Sequence, residues 1–243
     1  MSLADEADAI TMRFYQSAGL AVRTKSDRSP VSEADEAAET MIRERLRRER
    51  HSDGIVGEEF GVTGSGARRW IIDPIDGTRN YVRGVPVWGT LIALEENGHI
   101  TAGVVSAPAM KSRWWASAGG GAYADNRRIH VSSVDRLQSA FVGYPSITDF
   151  EARGLGRSID RLLHACDRSR GFGDFWQHML VAEGAIDVAI EPVVALWDMA
   201  PVKIIIEEAG GRFTSLNGEP RADGGNALST NKRLHDEVLT YFP

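Results

Sequence analysis

Between positions 70 and 132 the chain breaks into five short apolar runs, at 70–73, 87–95, 100–107, 114–118 and 129–132, separated by turn signals such as Asn97-Gly98. Runs this short read as strands rather than helices, and Asn-Gly between two of them is a hairpin signal. An antiparallel sheet is therefore predicted here, with two helices upstream. The first covers 4–21, with Ala7, Ile10, Phe14 and Ala18 on one stripe. The second opens at Ser32, whose partner Asp35 three residues later makes a capping-box pattern, and it turns Ala38, Met41, Ile42 and Leu46 inward. After about Ser133 strands and helices alternate: a strand in "SAFVGYP", helices near 155–167 and in "DFWQHMLVAEG", a strand "DVAIE", and a helix "DMAPVKIIIEEAGG". Two short strands and a last helix over 231–241 complete a mixed α/β half. The expected division is 1–133 and 134–243.

A chain of 243 residues with 42% hydrophobic and 26% charged residues has the composition of an ordinary globular protein and can bury a sizeable core. A net charge of −6 argues against a nucleic-acid partner. The arginine-rich stretch Arg43 to Arg50 carries Glu44 and Glu49 and reads as a solvated helix end. The one cysteine, Cys166, shares a helical face with Ile159, Leu162 and Leu163, as a core thiol would. A lone cysteine fits a reducing, cytoplasmic compartment, the acidic start (Asp5, Glu6, Asp8) predicts no secretory leader, and no apolar run predicts a membrane span.

The chemistry-bearing residues are acids at element boundaries. Asp73 ends the run "WIID", and Asp76, Gly77 and Thr78 follow at once; Glu58 and Glu59 stand between glycines in "VGEEFG"; Asp198 begins a helix; Asp35 begins another. Alone, "DPIDGT" is a common strand-ending turn. Together the acids need a different account. Two carboxylates about 4 Å apart repel by about 4 kcal/mol at an effective dielectric of 20, so a cluster cannot stay ionised without cations. An all-oxygen donor set suits a hard cation such as Mg²⁺, and no HExxH, CxxC or EF-hand pattern competes for the assignment. "GGGAYA" partly matches a dinucleotide fingerprint, but strand-like residues follow it where a helix is required.

"KSDRSPVSEAD", "VGEEFG", "WIIDPIDGTRNY" and "WDMAPVKIIIEEAGG" resemble, in order and along almost the whole chain, the signature segments of the inositol monophosphatase family. The resemblance implies a layered αβαβα sandwich, a homodimer, and two or three Mg²⁺ per site, with Mn²⁺ as a substitute. It implies that Glu58, Asp73, Asp76 and Asp198 are side-chain metal ligands and that Ile75 offers its carbonyl. Asp73 would bridge two ions. Thr78 with Glu58 would activate the attacking water, Asp35 would support Thr78, and the N–H groups of Gly77 and Thr78 would hold the phosphate. The mechanism implied is direct in-line hydrolysis of a small phosphate ester. The halves then become a metal-binding 1–133 and a substrate-binding 134–243. Pro201 departs from the pattern, which has a small residue there, and is expected in the first helical turn, where a missing N–H is tolerated.

The leaving group is addressed by the second half. Gly173 and Asp174 precede the aromatics Phe175 and Trp176, and Glu191 lies seven residues before Asp198. Two acids there favour a cationic alcohol over a neutral polyol. Gly-Asp-aromatic, "VPVW", "VVSAPAM" and "RWWA" resemble the histidinol-phosphate phosphatases within the family, so that ester is the expected substrate, binding through Gly77, Thr78, Asp174, Glu191 and Asp198. Asp174 also reads as an ordinary helix cap. Inositol 1-phosphate or a broad range of small phosphate esters is the nearest alternative, and a partner-binding regulator the alternative of another class. Trp88 and Trp176 are open candidates for the pocket wall.

Overall fold

Four of the five apolar runs form the middle of one large sheet, and the run at 129–132 enters it only at Ile129, on an edge strand. The structure, a computed structural model, describes residues 2–26 and 29–243, so Asp27 of "KSDRSPVSEAD" lies outside the described residues. In chain order the elements are α1 (Ser2–Phe14), β1 (Val22–Thr24), β2 (Pro30–Ser32), α2 (Glu33–Glu49), β3 (Gly54–Gly57), β4 (Gly61–Thr63), β5 (Arg68–Asp76), α3 (Thr78–Val82), β6 (Gly89–Glu96), β7 (His99–Ala107), β8 (Ser112–Ser117), β9 (Gly121–Ala124) and β10 (Arg127–Ile129). The second half adds β11 (Phe141–Tyr144), α4 (Ile147–Ala152), α5 (Gly156–Ala165), β12 (Arg168–Gly171), α6 (Asp174–Ala182), β13 (Val188–Glu191), α7 (Leu196–Glu208), β14 (Arg212–Thr214), β15 (Ala227–Thr230) and α8 (His235–Leu239).

The large sheet runs β10-β9-β8-β7-β6-β5-β3-β4. Its pairs are antiparallel except β3 with β5, which are parallel, so the expected all-antiparallel sheet carries one parallel step. The small sheet runs β12-β11-β13-β15-β14 and is mixed, as expected. Helices α1 and α2 cover one face of the large sheet through Ala4, Ala7, Ile42 and Leu46 against Ile72 and Ile92. Helices α6 and α7 fill the space between the sheets, where Met179, Val202, Ile205 and Ile206 pack with Val105, Trp114 and Phe213. Ile159 of α5, Phe150 of α4 and Val238 of α8 cover the far face of the small sheet on Val142, Val188 and Leu228. The layers are αβαβα.

Helix α7 supplies much of the apolar packing of the middle layer. Its apolar residues are buried on more than one face because it packs between the two sheets, while Lys203 and Glu207 pair at the surface. Each of Val202, Ile204, Ile205 and Ile206 is buried, and full burial of such a side chain contributes about 1.5–3 kcal/mol. Gly103 of β7 lets the helix ride close: a Cβ there would lie 2.7 Å from Ile204 Cγ2 and 2.8 Å from Pro201 Cα.

Four local expectations are corrected. Helix α1 ends at Phe14, not near 21, because Gln16 (φ 58°) and Gly19 (φ 93°) adopt left-handed backbone; Ala18 is exposed. Pro201 lies in the second turn of α7, not the first, so its missing N–H falls where the ladder from Trp197 would continue. Arg43 is buried rather than solvated. The last helix is only His235–Leu239, since Asn231 is held outside it by bonds to Ser132 and Val134. Strands β1, β2 and β12 carry no apolar alternation and are not predicted, and the stretch 54–66, which reads as a loop, holds β3 and β4 around the Glu58 turn.

Candidate active site

Strand β5 is the floor. In a regular strand, residues three apart point to opposite faces. Asp73 pairs with Leu91 and Asp76 with Gly89, and the register shifts between them. That irregularity at Pro74-Ile75 carries an extra residue and returns Asp76 to the side of Asp73. Proline suits such a position because it has no N–H to offer the ladder. Asp73 Oδ1 accepts from the N–H of Ile75 (3.0 Å), and the Pro74 carbonyl accepts from Thr90 Oγ1 (2.8 Å), so the bulge is pinned on both sides. Gly77 then takes φ 81° to start α3; a Cβ there would meet the Val87 carbonyl at 3.0 Å.

Asp198 arrives from the first turn of α7, where its carboxylate accepts from the Ala195 N–H (2.7 Å). One oxygen each of Asp73, Asp76 and Asp198 lie within 4.8 Å of one another. Burial, and then the charges of Glu58, Asp76 and Asp198, push the Asp73 pKa well up. Burial, with Asp174 and Asp198 next, does the same to Asp76. Burial raises Asp198 to about 7. Three acids held this close, all driven toward the neutral form by burial and then by neighbouring carboxylates, form an oxygen cage whose charge a hard divalent cation would offset. The residues therefore fit the metal that the sequence implies. Glu58, in the turn after β3, faces the same cluster, with its N–H on the Ile72 carbonyl (3.1 Å).

Thr78 Oγ1 lies 2.9 Å from the Ile75 carbonyl and 3.3 Å from Asp35 Oδ1. Asp35 is the third residue of α2, and its other oxygen accepts from the Ser32 N–H (2.8 Å) and hydroxyl (2.6 Å), so the capping box is present. One side chain thus starts the helix and holds Thr78. Burial raises its pKa to about 6.

The second half supplies two more acids. Gly173, not Asp174, caps α6; the Asp174 carboxylate instead accepts from Asn80 Nδ2 (2.9 Å), so the ordinary-cap reading of Asp174 is replaced by a contact across the cleft. Asp174 also holds positive φ (51°), unusual for a residue other than glycine. The Phe175 N–H donates to Asp76 Oδ2 (2.7 Å), tying α6 to the floor. Glu191 ends β13, is buried, and accepts from Gln177. Burial and then the charges of Asp174, Asp76 and Asp198 raise its pKa, which places all four acids in one field.

Sequence reasoning assigned no role to Lys25, Asn80 or Gln177. Lys25 Nζ lies 2.7 Å from both Glu58 and Glu59; burial opposes its charge, but those two carboxylates outweigh it and raise its pKa. Lys25 and Asn80 both stand inside quoted motifs, yet their partners are distant in sequence. Trp88 is in the core against Tyr81 (ring centroids 4.8 Å) and does not line a pocket; Trp176 is half-buried against Phe172.

A layered αβαβα fold with a carboxylate cage at a strand bulge defines a class of metal-dependent phosphomonoesterases. The chain matches the inositol monophosphatase family over residues 1–242 and belongs to it. It is 51% identical to a histidinol-phosphatase of Streptomyces coelicolor, covering 99% of this chain and 94% of the relative. It is 49% identical to a histidinol-phosphatase of Mycobacterium tuberculosis, with 99% and 95% covered. Among solved structures it superposes on an IMPase of Thermotoga maritima with a TM-score of 0.88 at 31% identity, covering 99% and 93% of the chains. Among the described residues no helix is long and apolar enough to cross a membrane.

Proposed function

We propose that this protein is a Mg²⁺-dependent histidinol-phosphate phosphatase. Asp174 and Glu191 carry the assignment: both stand in the field of the metal cage, where an alcohol leaving group would emerge, and two acids there suit an amine and an imidazole better than a polyol. Relatives named for that activity, at about half identity over nearly the whole chain, support the same reading.

Asp73, Asp76, Asp198 and Glu58 would hold the cations, with the Ile75 carbonyl as a further oxygen ligand. When bound, Mg²⁺ lowers the pKa of water and offsets charge on the leaving oxygen. Thr78, with its proton directed to Asp35 or Ile75, accepts a hydrogen bond from the water and orients it in line with the phosphorus, and Glu58 takes the water's proton. The N–H groups of Gly77 and Thr78 hold the phosphate oxygens. Asp174 and Glu191 bind the cationic alcohol and keep it aligned until it leaves. Residues 1–133 thus serve as the metal-binding half and 134–243 as the substrate half. The site works in a homodimer in the cytoplasm, as the family resemblance and the single cysteine suggest.

The test is a steady-state comparison of histidinol phosphate, inositol 1-phosphate and fructose 1,6-bisphosphate at fixed Mg²⁺. A kcat/KM at least about 10-fold higher for histidinol phosphate is expected, since one charge-assisted bond contributes about 1.5–3 kcal/mol. Equal or better use of inositol 1-phosphate would transfer the assignment to the inositol phosphatases.

A further inference from the structure

Glu58 stands in a turn with little apolar support. The strand after it, β4, is an edge of three residues, and Val62 there is 70% exposed. The turn is instead gripped from α2. Glu39 is fully buried; its Oε2 accepts from the Glu59 N–H (2.8 Å), and its Oε1 accepts from the Phe60 N–H (3.2 Å) and from Arg43 Nε (2.6 Å). Arg43, one helical turn on and also buried, donates to Thr63 Oγ1 (3.0 Å) and to the Gly61 carbonyl, and its guanidinium lies 5.9 Å from the Phe60 ring centroid. Gly57 makes room for the pair: a Cβ there would sit 2.0 Å from Glu39 Oε1 and 2.7 Å from Arg43 Nη2.

A buried ion pair is a poor way to gain stability, because desolvation offsets most of the attraction. Two apolar side chains of similar volume would pack here, but they would leave the N–H groups of Glu59 and Phe60 unmet. The pair holds backbone, and the backbone it holds flanks Glu58. On the other side Glu58 is fixed by its own N–H on Ile72. We propose that the buried Glu39–Arg43 pair is a positioning device for Glu58 and sets the affinity of the site for divalent metal.

This inference rests on the metal reading above. The experiment is Mn²⁺ binding, by calorimetry and by electron paramagnetic resonance, to the full chain and to Glu39→Gln, alongside the Mg²⁺ dependence of phosphate release. Glu39→Gln should weaken Mn²⁺ binding by about 10- to 100-fold, the range for losing a partner that orients a ligand. kcat at saturating metal should return close to the wild-type value. Arg43→Lys, which keeps the charge and loses the fork to Gly61 and Thr63, should fall between the two, and it carries the test alone if Glu39→Gln does not fold. Leu162→Ala, in the far helical layer, lowers stability without touching the turn and should leave Mn²⁺ affinity unchanged. Wild-type affinity in a folded Glu39→Gln or, failing that, in Arg43→Lys would overturn the inference and leave the metal reading standing. An equal loss of affinity in Leu162→Ala would reduce the pair to a structural role and overturn the inference as well. A wild-type protein that binds no Mn²⁺ would remove the metal reading itself, and the inference with it.

Discussion

The floor of the site and its rim are built differently. Asp73 and Asp76 stand on β5, inside an eight-stranded sheet, and Asp198 on α7, between two sheets. Moving any of them means moving the core. Glu58 and Glu59 stand in the turn between buried β3 and the edge strand β4, and Lys25 follows β1 of the separate two-stranded sheet; the side-chain contacts that hold these three are polar. The floor is fixed by burial and the rim by ion pairs and hydrogen bonds. The polar contacts of the rim answer to charge, salt and metal more than the packing under the floor does.

Asp73→Asn attacks the floor. It keeps size and removes an anion that would bridge two ions, so kcat should fall at least about 100-fold, metal assistance contributing several kcal/mol to the barrier. Because burial and like charges already push Asp73 toward its neutral form, the metal-free variant should melt above the wild type. Phosphate release and thermal melting in chelator check the two together. Near-normal turnover with metal present would remove Asp73 from the ligand set.

Asp174→Asn acts where the second half meets the floor. The loss of kcat/KM should be roughly 10- to 150-fold greater for histidinol phosphate than for inositol 1-phosphate, the value of one charge-assisted bond. The Asn80 amide keeps an acceptor in the new side chain, so the fold should hold. An equal loss on both esters would make Asp174 a residue that only ties α6 to α3.

What could be read from the sequence follows the same division. The capping box of Ser32 and Asp35, the acids of the Asp73 to Thr78 motif and the entry of Asp198 into α7 are each coded within a few residues and were legible, but the motif reads as a turn ending the strand at Asp73, whereas β5 runs on to Asp76 through a bulge. The rim was not. Lys25 meets partners 33 and 34 positions away, and Glu39 and Arg43 look like any exposed i,i+4 pair until the turn folds over them. Asp174 was half legible. Its acid beside Gly173 was noticed, but a helix start offers two roles to such a residue, and only the approach of Asn80 from 94 positions away decides between them.

Proton linkage gives a smaller effect. Burial raises Asp35 and Asp174 from 3.8 to about 6 and Asp198 from 3.8 to about 7. What these groups add to stability is complete below about pH 4 and is lost as pH rises through 6 to 7. Two buried histidines, lowered by burial to about 3 and about 4, act oppositely, and their contribution is lost as pH falls. Among titrating groups Mg²⁺ would be held by the cage carboxylates and not by these histidines, so the gain in melting temperature on adding it should grow from pH 5 to pH 8 as protons leave the cage. A gain that shrinks over that range would deny that Asp198 and its neighbours Asp73 and Asp76 hold the ion.

The smallest effect separates two halves of the rim. Lys25 neutralises Glu58 and Glu59 when no metal is near, so Lys25→Met should cost the metal-free protein stability. The group is partly solvated, so the loss should be only about 0.5–1 kcal/mol, or about 1–4 °C of melting temperature in a chain this long. The same change removes a competitor for Glu58 and makes the rim more negative, so Mn²⁺ should bind more tightly than in the wild type. Glu39→Gln should do the reverse, because it loosens the turn and leaves the competitor in place. Raising the salt concentration should shrink the Lys25 effect, which is partly exposed to screening, and leave the buried Glu39 effect nearly unchanged. If both substitutions weaken Mn²⁺ binding, Lys25 is holding Glu58 in place rather than competing for it, and the rim has two clamps instead of one clamp and one counter-ion.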